Sequence, residues 1–121
     1  MKDQATNFPH HRLDVYRLAL DMARLAKQLA DRVPRGYRSF ADHLLRAAGQ
    51  TVLLIGEGAN RYGAGQKRQR FTEARGECGE TASAAELLSV LGLVPKDDAH
   101  QLMIIADRIG AMLTRLIKRH S

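Results

Sequence analysis

The stretch 46-RAAGQTVLLIGEGANRY-62 decides how this chain folds. Counted from Phe40, the residues Leu44, Ala47, Ala48, Thr51, Val52, Leu54, Ile55 and Gly58 recur at helical spacing and share one side, while Arg46, Gln50, Glu57 and Arg61 share the other. This is the pattern of an amphipathic helix with a core face and a polar ladder. Gly49 and Gly56 interrupt it, nearly superposed on the helix, and each costs about 1 kcal/mol of helix propensity relative to Ala. A glycine that costs this much is expected where another element comes close to the backbone, so both positions predict a close approach.

Outward from this stretch, three more helices are legible. Upstream, Val15, Leu18, Ala19, Met22, Ala26, Leu29 and Val33 form one apolar stripe on a helix starting near Arg12, and Pro34 with Gly36 stops it. A second stripe, Leu13, Tyr16, Leu20 and Ala23, lies beside the first. Ser39 is the expected N-cap of the central helix, which ends at Asn60 before the break Gly63, Ala64 and Gly65. A third helix starts near Gln66, with Phe71, Ala74, Cys78, Ala82, Ala85 and Ser89 inward and Glu73, Glu77 and Glu80 on its back. Gly92 and Pro95 end it. The fourth, Lys96 to Arg119, buries Leu102, Ile105, Ala106, Ile109, Met112, Leu113, Leu116 and Ile117 and turns Arg108, Arg115, Lys118 and Arg119 outward.

Apolar residues never alternate at period two, so the fold class is all-α: an up-down-up-down antiparallel four-helix bundle over residues 12–121, with residues 1–11 a flexible N-terminal arm. A monomeric bundle needs one stripe per helix. Leu13, Tyr16 and Leu20 on the first helix, with Met103 and Ile104 on the fourth, therefore predict the interface of a homo-oligomer.

At 121 residues the chain is one domain, large enough to bury a core without staples. With a lone cysteine, no leader and no long apolar run, it is expected to be soluble and cytoplasmic, away from the membrane. The net charge of +6 is uneven: residues 1–72 hold 13 Lys/Arg and 6 Asp/Glu, residues 73–107 hold 2 and 7, and residues 108–121 hold 4 and 0. Such a split suits binding a polyanion, or an acidic patch of one subunit meeting a basic patch of another.

Catalytic signatures are missing from the pattern. A di-iron bundle needs inward Glu and Glu-x-x-His pairs, which do not occur, and His10, His11, His43, His100 and His120 are scattered, so no metal and no cofactor are expected. Cys78 falls on the core face among Ala74, Ala82 and Ala85, the setting of an inert thiol. The glycines of GEGANRYGAG lack the spacing and preceding strand of a phosphate-cradling loop. The chain is therefore expected not to be an enzyme. What remains is charge: Arg61, Lys67, Arg68, Arg70 and Arg75 cluster on a loop and helix start with Tyr62 placed to stack on an unpaired base, and Arg115, Lys118 and Arg119 end the chain. These are the candidate nucleic-acid contacts. Arg46, Glu57 and Glu80 are the candidate structural polar network between helices or subunits.

Arg46, Ala47 and Ala48, then Ile55, Glu57 and Gly58, Arg61 and Gly63, Phe71, and Ala74, Arg75, Gly76 and Glu80 together resemble the four-helix-bundle family encoded by intervening sequences in bacterial 23S ribosomal RNA genes. The similarity spans about Leu13 to Leu116. Leu54 and Gly56 depart from it, standing where the family carries Asn and Ala. The family includes accessory variability proteins of diversity-generating retroelements, which work beside a reverse transcriptase and its RNA. The resemblance implies a homopentameric barrel of bundles with affinity for RNA or DNA. The second reading is an adaptor whose basic surface meets an acidic protein partner, such as a reverse transcriptase.

Overall fold

The computed structural model describes residues 6–121. Four helices account for most of them: α1 (Asp14–Asp31), α2 (Arg38–Asn60), α3 (Ala64–Val90) and α4 (Lys96–Arg119), with short 3-10 turns at Pro9–Arg12 and Arg35–Tyr37. No strand occurs among the described residues. Connections of a few residues force sequential helices to run antiparallel. Cross-helix contacts agree, since the start of α3 meets the end of α2 through Lys67 and the end of α4 through Arg68, while the end of α1 meets the start of α4 through Arg32 and Asp98. α1 and α3 each pack on both α2 and α4, which sets the helices at the corners of a square.

The core is written at coiled-coil spacing. α3 buries Phe71, Ala74, Cys78, Thr81, Ala85 and Leu88, and α4 buries Ala99, Leu102, Ala106, Ile109, Leu113 and Leu116, both in strict steps of three and four. On α3 this differs from the expected face: Ala82 and Ser89 are only half-buried, and Thr81 and Leu88 take the seam. Thr81 is tolerated there because its hydroxyl donates to the Glu77 carbonyl (2.9 Å), and Thr51 does the same to Ala47 (2.9 Å). Small residues on α3 let it lie close to both neighbours.

The close approach in α2 is not where the sequence placed it. A Cβ on Gly49 would meet nothing within 4 Å and one on Gly56 only the Tyr16 ring at 3.8 Å, whereas one on Gly58 would lie 2.7 Å from Phe71 Cε1. Gly58 is the position where α3 needs the missing side chain, because the large Phe71 ring is seated against the last turn of α2. The start of α2 also differs from expectation. α2 begins at Arg38, so Ser39 lies inside it and gives no cap, and no helix here carries a side-chain N-cap bond. At the other end of α3, Gly92 adopts φ +73°, and the bonds from Leu93 N to Leu88 O and Gly92 N to Ser89 O (both 2.9 Å) close a Schellman motif.

The first five residues of the expected N-terminal arm lie outside the described residues. Its last part joins the bundle: the turn Pro9–Arg12 packs on α2, Asn60 Nδ2 stands 2.8 Å from His10 Nδ1, and the His10 ring lies 4.7 Å from that of Tyr16. An amide nitrogen only donates, so His10 Nδ1 is the acceptor. Leu13, Tyr16 and Met103 of the expected oligomer interface are half-buried against this molecule's own core, while Leu20 and Ile104 stay exposed.

Candidate functional site

Antiparallel packing collects one end of the bundle from segments far apart in sequence: the turn before α1, the α2–α3 loop and the end of α4. Arg68 Nη1 donates to the His120 carbonyl (2.7 Å), and the Phe71 and His120 rings stack at 5.9 Å. The basic loop and the basic C-terminal turn, read as two separate patches in the sequence, are thus one surface. A groove of about 280 Å³ between the start of α1 and the end of α4 adds Arg12 beside Arg115 and Arg119, over a floor that includes Leu13 and Leu116. Arg12 was not among the residues singled out from sequence. Only the fold shows that it joins them.

The candidate cations divide by what already holds them. Lys67 Nζ donates to the Ala59 and Gly58 carbonyls (2.9 and 3.3 Å), capping the end of α2. Arg70 is held between Glu73 (2.6 Å) and Glu57 (3.1 Å). Arg75 stands about one and a half turns beyond Arg70 along α3, in the α3–α4 groove with Asp107. Among the described residues, Arg61, Arg115, Lys118 and Arg119 make no side-chain ion pair or hydrogen bond, and Arg68 bonds only a carbonyl. Asp14, at the same end, is taken by Arg17. The end is therefore a net positive surface with several unengaged guanidinium groups.

Tyr62, in the loop Arg61–Gly63, is fully exposed at 101 % of its reference area, so neither face of its ring is used by the fold. His10 and His120 contribute little charge at neutral pH. Burial, then Lys67, Arg119 and Arg68, lower the pKa of His120 below its ordinary 6.5, and burial with His11 lowers that of His10.

The expected polar network separates into two parts. Glu57 pairs with Arg70, as above. Arg46 Nη2 lies 3.4 Å from His43 Nδ1, and His43 Nε2 lies 3.5 Å from Glu80 Oε1, so Arg46 reaches Glu80 through an imidazole rather than directly. Because the guanidinium can only donate, His43 Nδ1 accepts and Nε2 carries the proton toward Glu80. Beside them Glu77 Oε1 is buried without a hydrogen-bond partner, and burial together with Glu80 raises the pKa of Glu77, opposed by Arg46 and His43. On the inner face of α3 the Cys78 thiol donates to the Ala106 carbonyl (3.1 Å), and burial pushes its pKa up to about 11.

No group of three or more His, Cys, Asp or Glu among the described residues stands together so as to hold a metal ion, and no helix there is long and apolar enough to cross a membrane. A family model described as 23S rRNA-intervening sequence protein matches residues 11–115. A crystal structure of a protein of unknown function from the S23 ribosomal protein family of Bacteroides thetaiotaomicron superposes with a TM-score of 0.81 at 18% identity, covering 86% of this chain and 98% of that one. At that identity the likeness concerns the fold. Curated proteins give no significant match.

Proposed function

The chain belongs to the 23S rRNA-intervening sequence protein family, and on that footing we propose that it is a non-enzymatic accessory protein that binds RNA or DNA through the basic end of its bundle. The observation that carries the reading is the convergence of Arg12, Arg61, Arg68, Arg115, Lys118 and Arg119 on one end, where Asp14, the carboxylate that lines the groove, is already paired with Arg17. Such a surface attracts phosphates and gains affinity by releasing their counterions. The protein acts as a homo-oligomer, pentameric by family resemblance, so that several basic ends engage one polyanion and weak contacts multiply. Exposed Leu20 and Ile104 support self-association.

The test is titration of the purified protein against RNA and DNA at several salt concentrations, with the oligomer mass measured by light scattering alongside. Reversing Arg61, Arg115 and Arg119 to Glu should abolish binding and flatten its salt dependence, because each lost phosphate contact removes about 0.7–0.9 from the log–log slope. The control is the same reversal at Arg35, Arg38 and Lys96, which lie at the opposite end of the bundle. Equal losses from both sets mean diffuse attraction. An absence of nucleic-acid binding by the parent protein near physiological salt overturns the reading and leaves the adaptor, with an acidic protein partner.

A further inference from the structure

An aromatic ring left wholly in water at the edge of a cationic surface has no role in holding the fold. Tyr62 is such a ring: it contacts no core residue, it sits between Arg61 and the start of α3, and the three-residue loop tethers it between two long helices. Two torsions fix a tyrosine ring, so ordering it against a ligand costs little entropy. A base can lie flat on such a ring only when it is unpaired and free of its own neighbours. Bases in a duplex offer edges in the grooves instead, and reading them takes a helix or ribbon that enters a groove about 12 Å wide. This end of the bundle offers short loops and helix termini.

The phosphate side of the same ligand also has a place. The groove holding Arg12, Arg115 and Arg119 opens on the α1–α4 side, whereas Tyr62 stands on the α2–α3 side. Neighbouring helix axes are about 8–10 Å apart, so a strand with one base on Tyr62 must cross the end of the bundle, at least one helix spacing, to reach the three guanidinium groups. Arg61 and Arg68 lie beside the ring's end of that path.

We propose that the basic end is a binding site for single-stranded nucleic acid, in which Tyr62 is the stacking platform for an unpaired base and Arg12, Arg115 and Arg119 cradle the adjoining phosphates. This rests on the nucleic-acid reading above and narrows it to one ligand class. The site takes loops, tails or displaced strands and leaves a blunt duplex bound only by diffuse charge.

The test uses the full chain with labelled oligo-rU, oligo-dT, a hairpin carrying a U-rich loop, and a blunt duplex of equal phosphate count at one salt concentration. The single strands and the hairpin should bind at least about tenfold more tightly than the duplex. Tyr62→Ala should weaken single-strand binding about five- to 150-fold, the range that a base–aromatic stack spans, while leaving both the salt slope and the melting temperature at parent values. Tyr62→Phe should bind as the parent does. Because the chain has no tryptophan, the Tyr62→Trp variant supplies a single reporter whose fluorescence should be quenched by oligo-rU or oligo-dT and not by the duplex. Equal affinity for strand and duplex, or Tyr62→Ala binding as the parent does, overturns the single-strand site while the charge-based reading stands. A preference for one of oligo-rU and oligo-dT keeps the single-strand site, and oligo-dU in place of oligo-dT then separates the effect of the sugar from that of the thymine methyl. A parent that binds none of the four probes removes both proposals.

Discussion

Replacing Gly58 with alanine tests whether the packing of α2 on α3 is correctly understood. The new Cβ would stand 2.7 Å from Phe71 Cε1, 2.9 Å from Phe71 Cδ1 and 3.2 Å from Arg70 Cβ. Real carbon contacts lie near 3.5–4.0 Å, so something must move by close to an ångström. The ring has little room, since Phe71 is 1% exposed and His120 stacks on it. Overpacking of this kind costs about 1–3 kcal/mol, against a helix-propensity gain of about 1 kcal/mol on losing the glycine. The net is a loss of up to about 2 kcal/mol. Gly49→Ala is the internal reference: it gains the same propensity with nothing within 4 Å to meet, so it should stabilise by up to about 1 kcal/mol. The two variants should therefore differ by about 1–3 kcal/mol, or roughly 3–15 °C in melting temperature for a domain of this size. Thermal and urea unfolding followed by circular dichroism at matched protein concentration measures the gap. Combining Gly58→Ala with Phe71→Leu should cost less than the sum of the two changes, because the smaller side chain removes the clash. Gly58→Ala melting as high as Gly49→Ala would refute the reasoning.

Two further outcomes follow from the titratable groups of α3. Glu77 has its folded pKa raised above the ordinary 4.5, by burial and then by Glu80, so the folded protein holds that proton more tightly than the unfolded one and stability falls as pH rises from the unfolded value through the folded one. Glu77→Gln should accordingly melt higher than the parent at pH 7, with the difference shrinking toward pH 4; an equal or lower melting temperature at pH 7 contradicts the buried-carboxyl assignment. Cys78, buried and with its pKa near 11, should resist a thiol-specific disulfide reagent at pH 8 in the folded protein and react at once in denaturant, and fast labelling of the native protein would show that the α3–α4 seam opens.

Much of the fold was legible because the core is periodic. Heptad-like spacing and the stop signals Pro34, Gly63, Gly92 and Pro95 mark four helices within two or three residues of those observed. The errors lie where periodicity says least. In the middle of α3 Thr81 and Ala82 are both small, so the pattern could not tell them apart, and the difference was set by a hydroxyl that satisfies itself on Glu77; Leu88 then follows Thr81 into the seam at the same spacing in place of Ser89. Likewise Gly49, Gly56 and Gly58 look alike in sequence, and only the position of Phe71 on another helix distinguishes them.

The candidate site was legible as residue types and not as a place. Arg115, Lys118 and Arg119 stand far from Arg61 and Arg68 in sequence, yet an even number of antiparallel helices returns the chain end to the side where it began, and Arg68 bonds the carbonyl of His120. The same topology carries Arg12 into the groove with Arg115 and Arg119. Packing also removes members: Lys67 is consumed as the cap of α2, and Arg70 is shared by Glu57 and Glu73. Reversing these two charges would therefore disturb the α2–α3 junction as well as any ligand, and a loss of binding there would carry no information about phosphates. Arg61, Tyr62, Arg115 and Arg119 are the informative positions, because each is exposed and makes no ion pair or side-chain hydrogen bond among the described residues. A change at them perturbs the surface while the core at Phe71, Ile109 and Leu113 stays as it is.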